Sequence, residues 1–132
     1  MQNVSQKTRK ELLAEYKERK VPMGVYQIRN TTNGKIFVGS SKDLIAIWNR
    51  NRLQLDVGNH PNTELQKDWK SLGEPNFAYE IVSELTPSVD DAPGKDYAED
   101  IKELEKLFLE ELQPYGEKGY NVKKGVKETD RY

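Results

Sequence analysis

The chain of 132 residues is long enough for one ordinary domain and too short for two, and 35% of its residues are hydrophobic and 33% charged. It has no cysteine and a single histidine, which excludes a disulfide framework, a thiolate-bound metal site and a metal site built on histidine alone. Its 21 basic and 22 acidic residues give a formal net charge of −1, unlike a protein that binds DNA tightly through charge. Without an apolar run of roughly 20 residues or an apolar secretory leader, we expect a cytoplasmic protein with no membrane partner.

A helical extension is predicted over residues 1–22. Thr8 and Glu11 have the spacing of a capping box. In this motif, each side chain accepts a hydrogen bond from the backbone N–H of the other residue. A helix from about Arg9 to Arg19 should follow, and Pro22 should end it. The charged face of this helix has two interpretations: a basic arm or partner-binding helix, or, more plainly, a solvated face of a helix packed on the sheet.

A β-hairpin is predicted between Met23 and Leu44, in the sequence MGVYQIRNTTNGKIFVGSSKDL. The residues on either side of Asn33-Gly34 alternate at the period of two expected of strands. Asn-Gly is the strongest short hairpin signal, because a type I′ turn needs positive φ at both central residues. We therefore expect a tight turn at Asn33-Gly34.

Two helices are predicted after the hairpin. Ser41 or Asp43 can cap the first, which should run through about Asp56 and stop at the glycine that follows shortly after. Thr63 should cap the second helix, over residues 64–72. Trp48 and Trp69 lie on these helices among apolar residues, so we expect core positions for them rather than base-stacking surfaces.

A third strand, a long acidic helix and a terminal segment complete the predicted elements. Alternating residues predict the strand over Phe77 to Val82, and apolar residues spaced by three and four predict the helix over about Tyr97 to Leu112. Tyr120 to Val122 has the composition of a short strand. Residues 123–132 form a predicted polar tail.

Glu105 stands out on the last predicted helix. It lies four residues after Ile101 and three before Phe108, so it shares the apolar face of the helix. Buried carboxylates are rare unless they are paired or bind a cation. A metal ligand is one explanation; a carboxylate at the edge of the apolar stripe, reaching solvent or paired with a lysine, is the other.

The hairpin also resembles the core of the GIY-YIG nuclease domain. GVY at Gly24–Tyr26, FVG at Phe37–Gly39 and SSKDL directly after carry the resemblance, and HPNTELQKDW, NFAYEIV, the acidic helix and GYNV follow in that family's order. The resemblance covers about residues 23–122. It implies an α+β fold, with a small three-stranded mixed or antiparallel sheet flanked by helices, and the function of a metal-dependent DNA endonuclease.

Three functional positions of the family match this sequence. Tyr26 matches the tyrosine that activates or aligns a water, Glu105 matches the glutamate that binds the divalent cation, and Asn121 matches the asparagine of the closing segment. The resemblance therefore implies Mg²⁺ or Mn²⁺ at Glu105 if the domain is active. An inactive member would require no cofactor.

Other functional positions depart from the family. Phe37 replaces the second tyrosine, Ile47 replaces the catalytic arginine, and Asn51 stands where homing members carry a histidine. Arg50 follows Ile47 by three residues, on roughly the same face of a helix, so its side chain offers a relocated guanidinium. His60 matches a loop histidine of homing relatives, although an exposed loop residue is the plainer expectation.

Three functions remain open from the sequence. The first is a degenerate member, similar to small stand-alone domains associated with transcription regulators, that no longer cleaves and binds nucleic acid or a protein as an accessory module. The second is a slow Mg²⁺- or Mn²⁺-dependent DNA endonuclease that uses Tyr26, Glu105 and a relocated arginine. The third is a domain that only binds an unidentified protein partner. Because a preorganised charge is lost with the arginine, the sequence favours the first.

Overall fold

The computed structural model describes residues 21–123. In chain order their strands and α-helices are β1 (Gly24–Asn30), β2 (Ile36–Ser41), α1 (Leu44–Val57), α2 (Thr63–Leu72), β3 (Phe77–Glu84) and α3 (Ala98–Leu112), with a 3-10 helix at Glu74–Asn76. The predicted N-terminal helix, and the predicted tail beyond its first residue, lie outside the described residues. Within residues 21–123, no helix is long and apolar enough to span a membrane.

The three strands form one antiparallel sheet in the order β2-β1-β3. β1 is the central strand, and its register places Tyr26 opposite Gly39 and Ile28 opposite Phe37 on β2. The predicted α+β fold with a three-stranded sheet is therefore confirmed. β2 is an edge strand of this sheet.

Helices cover both faces of the sheet. Because successive strand residues point to opposite faces, Tyr26 and Ile28 pack with residues of α1 and α2, whereas Val25 and Val38 pack against α3. The first cluster includes Trp69, which is 4% exposed, and Trp48 stacks on Tyr79 with ring centroids 4.8 Å apart. Both tryptophans thus belong to the core, as the sequence predicts.

The hairpin loop is longer than the predicted two-residue turn. Asn30 N–H donates to the carbonyl of Lys35 at 2.8 Å, so four residues separate the last paired positions. Gly34 has a φ of 80°, but Asn33 has no positive φ, and the type I′ prediction was wrong. The buried Asn30 side chain accounts for the difference, since its Oδ1 accepts bonds from both the backbone N–H and the hydroxyl of Thr32.

The two helices on the Tyr26 face begin at capping side chains. Asp43 accepts from the backbone N–H groups of Ile45 and Ala46, and α1 ends at Gly58 in the left-handed conformation, as predicted. For α2, the cap is Asn62, which accepts from Leu65 N–H. The prediction of Thr63 was wrong by one residue, because Asn62 reaches the same turn from one position earlier.

The segment after α3 lies along the edge strand. Ile36 N–H donates to Lys118 carbonyl and Tyr120 N–H donates to Ile36 carbonyl. Beyond this single parallel bridge between Ile36 and Gly119, the segment forms no strand, so the predicted strand over residues 120–122 was wrong. The Asn121 side chain takes over the pairing with β2, as described below.

Candidate active site

The site is organised by two neighbouring residues of the edge strand, Gly39 and Ser40. The Tyr26 ring lies directly on Gly39: a Cβ added there would be 2.5 Å from the Tyr26 hydroxyl oxygen. Only glycine leaves room for this ring on the edge strand. Ser40 points to the opposite face of the sheet, so the adjacent residues Gly39 and Ser40 face the two sides of the sheet at the same place.

A chain of hydrogen bonds ties the Tyr26 hydroxyl to His60 through Asn51. Asn51 Nδ2 lies 3.3 Å from the Tyr26 hydroxyl oxygen, and His60 Nε2 lies 2.5 Å from Asn51 Oδ1. Asn62 N–H donates to His60 Nδ1 at 3.0 Å. Since Nδ1 accepts this bond, Nε2 carries the proton and donates to Asn51, which fixes the neutral tautomer.

His60 is therefore not the exposed loop residue that the sequence favoured. It is 5% exposed and its ring meets Phe37 edge-on, with centroids 5.6 Å apart. Burial lowers the pKa of His60 below its ordinary value of 6.5. The prediction was wrong because a histidine in a loop becomes buried when the backbone and side chains around it, here Asn51 and Asn62, supply partners for both ring nitrogens.

Glu105 reaches the site from α3, on the other side of the sheet. Ser40 Oγ donates to Glu105 Oε1 at 2.9 Å, and this is the only hydrogen bond of the carboxylate within residues 21–123. Neither a lysine nor another basic group pairs with Glu105 in that range. The described residues therefore do not show the alternative in which Glu105 pairs with a lysine.

The donor set around Glu105 fits a hard divalent cation. No group of three or more His, Cys, Asp or Glu side chains forms a metal cluster among the described residues. Mg²⁺ needs no such cluster, because it keeps several waters and is commonly held by one or two carboxylates together with substrate phosphate. A half-buried carboxylate with one oxygen held by a serine and no competing cation meets this requirement.

The charge of Glu105 on one face of the sheet affects the pKa of the Tyr26 hydroxyl on the other face. Burial raises the pKa of the Tyr26 hydroxyl and the negative charge of Glu105 raises it further, while the hydrogen bond from Asn51 lowers it. Tyr26 is therefore a neutral phenol at physiological pH. A neutral hydroxyl aligns or donates to a reacting group rather than acting as a base.

Asn121 clamps the edge strand beside this step. Its Oδ1 accepts from Val38 N–H and its Nδ2 donates to Val38 carbonyl, both at 2.8 Å. The amide side chain thus pairs with β2 as a neighbouring strand would. This arrangement holds Val38, the residue directly before Gly39, and gives Asn121 a positioning task.

The residues on α1 bring no charge to the site. Ile47 is half-buried against the core cluster that contains Tyr26, and only its backbone carbonyl takes part in hydrogen bonding with Asn51 at 2.8 Å. Arg50 is exposed and makes no hydrogen bond or ion pair within the described range. Phe37 keeps its ring against the core but has no hydroxyl to offer.

The sequence prediction therefore divides into residues that converge and residues that do not. Tyr26, Asn51 and His60 form one network, and Glu105 and Asn121 meet the edge strand beside it. Sequence reasoning missed Ser40. The strand alternation could have found it, because Ser40 lies on the face opposite Tyr26, two residues from the buried Val38 that packs against α3.

Comparison with known proteins gives a consistent set of relatives. No protein-family model matches the chain. "Intron-associated endonuclease 1" of Enterobacteria phage T4 is 34% identical over 100 residues, which cover 75% of this chain and 36% of that protein. The chain thus spans little more than a third of the length of this curated relative.

Two solved structures share the fold. One is the catalytic domain of the intron endonuclease I-TevI with a glutamate replaced by alanine; it is 32% identical with a TM-score of 0.63, over 78% of this chain and 95% of that one. The other is the catalytic domain of the homing endonuclease I-TevI, 32% identical with a TM-score of 0.60, over 76% and 98%. Both likenesses cover nearly all of the solved domain.

Proposed function

Because this chain belongs to the GIY-YIG family, whose members include these endonucleases, we propose that it is an accessory DNA-binding module in which phosphodiester cleavage is largely lost. The proposal is supported by one observation above the others. The helix that should present a guanidinium to the site presents Ile47 instead, and the neighbouring Arg50 points to solvent without a partner in the described range.

Part of the chemistry for cleavage is retained. The Tyr26 hydroxyl is held by Asn51 at the sheet edge, and the Glu105 carboxylate is held by Ser40 on the other side of the same strand. A divalent cation at Glu105 would supply positive charge that polarises a phosphate oxygen. These residues account for binding and alignment near a phosphate, but they add no positive side chain.

The missing guanidinium decides how fast such a site can work. Loss of a preorganised group that stabilises transition-state charge typically costs about 10²–10³ in rate. Phe37 removes a hydroxyl from the same region, and Tyr26 is buried and neutral. Together these changes leave a domain that retains the nuclease architecture with a rate at least about 10²-fold below that of a complete site.

DNA is the ligand that the relatives' endonuclease names support, and the charge of this chain predicts weak binding. A formal net charge of −1 offers little general attraction for phosphates. Affinity should therefore come from a few local contacts and fall steeply with salt. Gel shifts with duplex DNA at 50 and 200 mM salt (about a fourfold range) would test this expectation.

Cleavage of supercoiled plasmid in Mn²⁺ tests the proposal directly. The parent chain should convert plasmid to nicked circles no faster than Glu105→Ala, which removes the carboxylate that a cation would need. Both chains should still bind DNA in metal-free buffer. Metal-dependent nicking by the parent that Glu105→Ala abolishes would overturn the loss of cleavage, and absence of DNA binding would overturn the accessory role.

A slow metal-dependent endonuclease is the second candidate, and the buried Tyr26–Asn51–His60 network favours it. Buried polar side chains contribute less to stability than well-packed apolar ones of the same shape, so a fully bonded network at this place has a cost that function would explain. The same plasmid assay distinguishes the two candidates. A slow enzyme predicts a low nicking rate that depends on both Glu105 and Mn²⁺.

A protein ligand is the third candidate, and it is favoured by the outer face of α1. Ile45, Leu53 and Val57 are 58%, 63% and 63% exposed, on a helix that has no acidic residue in its first turn and no basic residue in its last turn. Apolar contacts need not weaken with salt, whereas phosphate contacts do. Binding that persists at high salt would therefore favour a protein partner.

A further inference from the structure

The position of Ser40 in the sheet can be compared with that of a second serine, Ser83. On β2 it is paired with Val25, and on the far side of Val25 the register places Ser83 of β3. Two serines thus flank the same residue of the central strand, and the register between β1 and β3 shifts directly after it, between Val25 and Tyr26. They differ in one respect: Ser40 Oγ donates to Glu105 at 2.9 Å, whereas the Ser83 hydroxyl makes no hydrogen bond within residues 21–123.

The hydrogen bond from Ser40 restrains a side chain that the helix alone would leave mobile. Glu105 is half-buried beside the apolar residues Leu104 and Phe108, which pack against the sheet. A glutamate has several rotatable bonds, and fixing them costs conformational entropy at the moment a ligand binds. Because Oε1 is already held against β2, part of this entropy cost is met before a cation binds.

The contact also directs the carboxylate to the edge where the other functional group lies. Gly39, the residue before Ser40, supports the Tyr26 ring on the opposite face, and the charge of Glu105 acts on the Tyr26 hydroxyl. Ser40 thereby holds the carboxylate at β2, next to the residue on which the Tyr26 ring lies.

We propose that Ser40 is a positioning residue that orients Glu105 for a divalent cation through the hydroxyl-to-carboxylate hydrogen bond. The inference rests on the cation site of the proposed function and concerns affinity for metal rather than cleavage. Groups that orient metal ligands in this way typically contribute 10- to 100-fold in metal affinity. Ser40 should contribute by that order, and Ser83 should contribute nothing.

Metal titration of the full chain followed by thermal unfolding tests the proposal. A ligand that binds only the native state raises the unfolding temperature with concentration, so Mn²⁺ affinity is measured against each variant's own metal-free transition. The variants are Ser40→Ala, Ser40→Thr, which keeps the hydroxyl, and Glu105→Ala. Ser83→Ala is the matched control, since it deletes the hydroxyl of the serine that is paired with Val25 from the other neighbouring strand.

The expected result is a Mn²⁺ affinity about 10- to 100-fold lower in Ser40→Ala, near that of the parent in Ser40→Thr and Ser83→Ala, and absent in Glu105→Ala. Equal affinities of the parent and Ser40→Ala would overturn the inference, as would an equal loss in Ser83→Ala. A parent chain that binds no Mn²⁺ also overturns it. DNA binding in metal-free buffer, measured on the same proteins, separately decides the accessory role.

Discussion

The two sides of the candidate site differ in how they are built. At the edge strand, Tyr26, Glu105 and Asn121 are each fixed by a named contact, to Asn51, Ser40 and Val38 respectively. On α1, the place of the expected charge is taken by Ile47, which packs against the core, and Arg50, three residues later, is exposed to solvent. On the first, edge-strand side the residues are held by hydrogen bonds, whereas on the second, α1 side Ile47 and Arg50 bring no charge to the site.

The comparison shows which of these residues have a structural role and which one is better explained by function. Tyr26 is part of the core cluster and Asn121 substitutes for a missing strand, so both stabilise the fold whether or not the domain cleaves DNA. Glu105 has no comparable structural task, because a leucine would pack better on the apolar face of α3. The carboxylate is therefore the more informative residue about function.

The largest expected effect comes from adding to α1 the charge whose absence the proposed loss of cleavage rests on. Ile47→Arg together with Phe37→Tyr should raise the rate of plasmid nicking in Mn²⁺ by about 10²-fold or more, because the variant returns a charge donor and a hydroxyl to a site whose other groups are in place. Ile47 is only half-buried, so a long arginine can leave its stem against the core and reach outward. Initial nicking rates measure the gain.

A second arginine on the same helix provides the control for this gain. Leu53→Arg adds the same charge to α1 at a position that is 63% exposed, and it should strengthen DNA binding without causing nicking. Adding Glu105→Ala to the restored chain should abolish nicking. If Leu53→Arg and Ile47→Arg behave alike, general attraction of DNA explains the effect, and the contrast between the two sides of the site is lost.

The next largest effect concerns the edge-strand side of the site. Gly39→Ala should destabilise the fold by about 1–3 kcal/mol, the usual cost of overpacking, because its Cβ would lie 2.5 Å from the Tyr26 hydroxyl. The ring cannot yield cheaply, since it is buried and its hydroxyl is bonded to Asn51. Urea denaturation measures the loss.

Gly34→Ala is a suitable comparison for Gly39→Ala. Gly34 has a φ of 80°, and a Cβ added there would have no other atom within 4 Å, so its substitution carries backbone strain but no clash with Tyr26. The Tyr26 environment, followed by tyrosine fluorescence or NMR, should change in Gly39→Ala alone. An unchanged Tyr26 signal in Gly39→Ala would show that the edge strand does not position the ring.

The elements of this fold were predictable because they depend on local patterns. The period-two alternation of β1 and β3, and the capping and stop residues Asp43 and Gly58 of α1, all act within a few residues of where they stand. The turn at Asn33 was mispredicted because the decisive partner is the Asn30 side chain, which becomes buried only when the sheet is assembled.

The structure brings together several residues that the sequence singled out, but their partners could not be predicted from the sequence. Glu105 could be singled out by its place on an apolar face, but its partner Ser40 is 65 residues away in sequence. The burial of His60 likewise depends on Asn51 and on Asn62, which come together only when α1 and α2 are packed. Contacts between distant residues leave no periodic signal in one sequence.

A smaller effect is expected from pH, through His60. Burial lowers the pKa of His60 below 6.5, so the unfolded chain binds the proton more readily than the folded one. Its contribution to stability is present above about pH 6.5 and is lost as pH falls toward the lower folded-state pKa. His60 is the only histidine of the chain, so few other side chains titrate in this window.

Urea denaturation at pH 7.5 and 5.5 measures this effect. The parent should lose stability between the two, and His60→Gln, which keeps a donor and an acceptor but does not titrate, should lose less. Parallel pH profiles for the two chains would indicate that His60 is not buried against Asn51 in solution. The hydrogen-bond network on the edge-strand side would then end at Asn51.

The smallest effect is expected at a place that belongs to neither side of the site, the pair formed by Arg29 of β1 and Glu80 of β3. Arg29 donates to both carboxylate oxygens of Glu80, at 2.9 and 2.8 Å, and Gln27 adds a third bond. These bonds lower the pKa of Glu80 to about 2. The side chains are 39% and 38% exposed, so solvent screens the pair and its net contribution to stability is small.

The sign of its pH dependence follows from the lowered pKa of Glu80. The contribution is present above the ordinary carboxyl value of 4.5 and is lost as pH falls from there toward 2. Arg29→Met should therefore lower the urea midpoint slightly at pH 7 and hardly at all near pH 2.5, whereas Arg52→Met, which breaks a longer 3.8 Å pair with Glu74, should show no such change. A loss in Arg29→Met that is equal at both pH values would mean that the arginine stabilises the sheet by packing along β1 and not through its ion pair with Glu80.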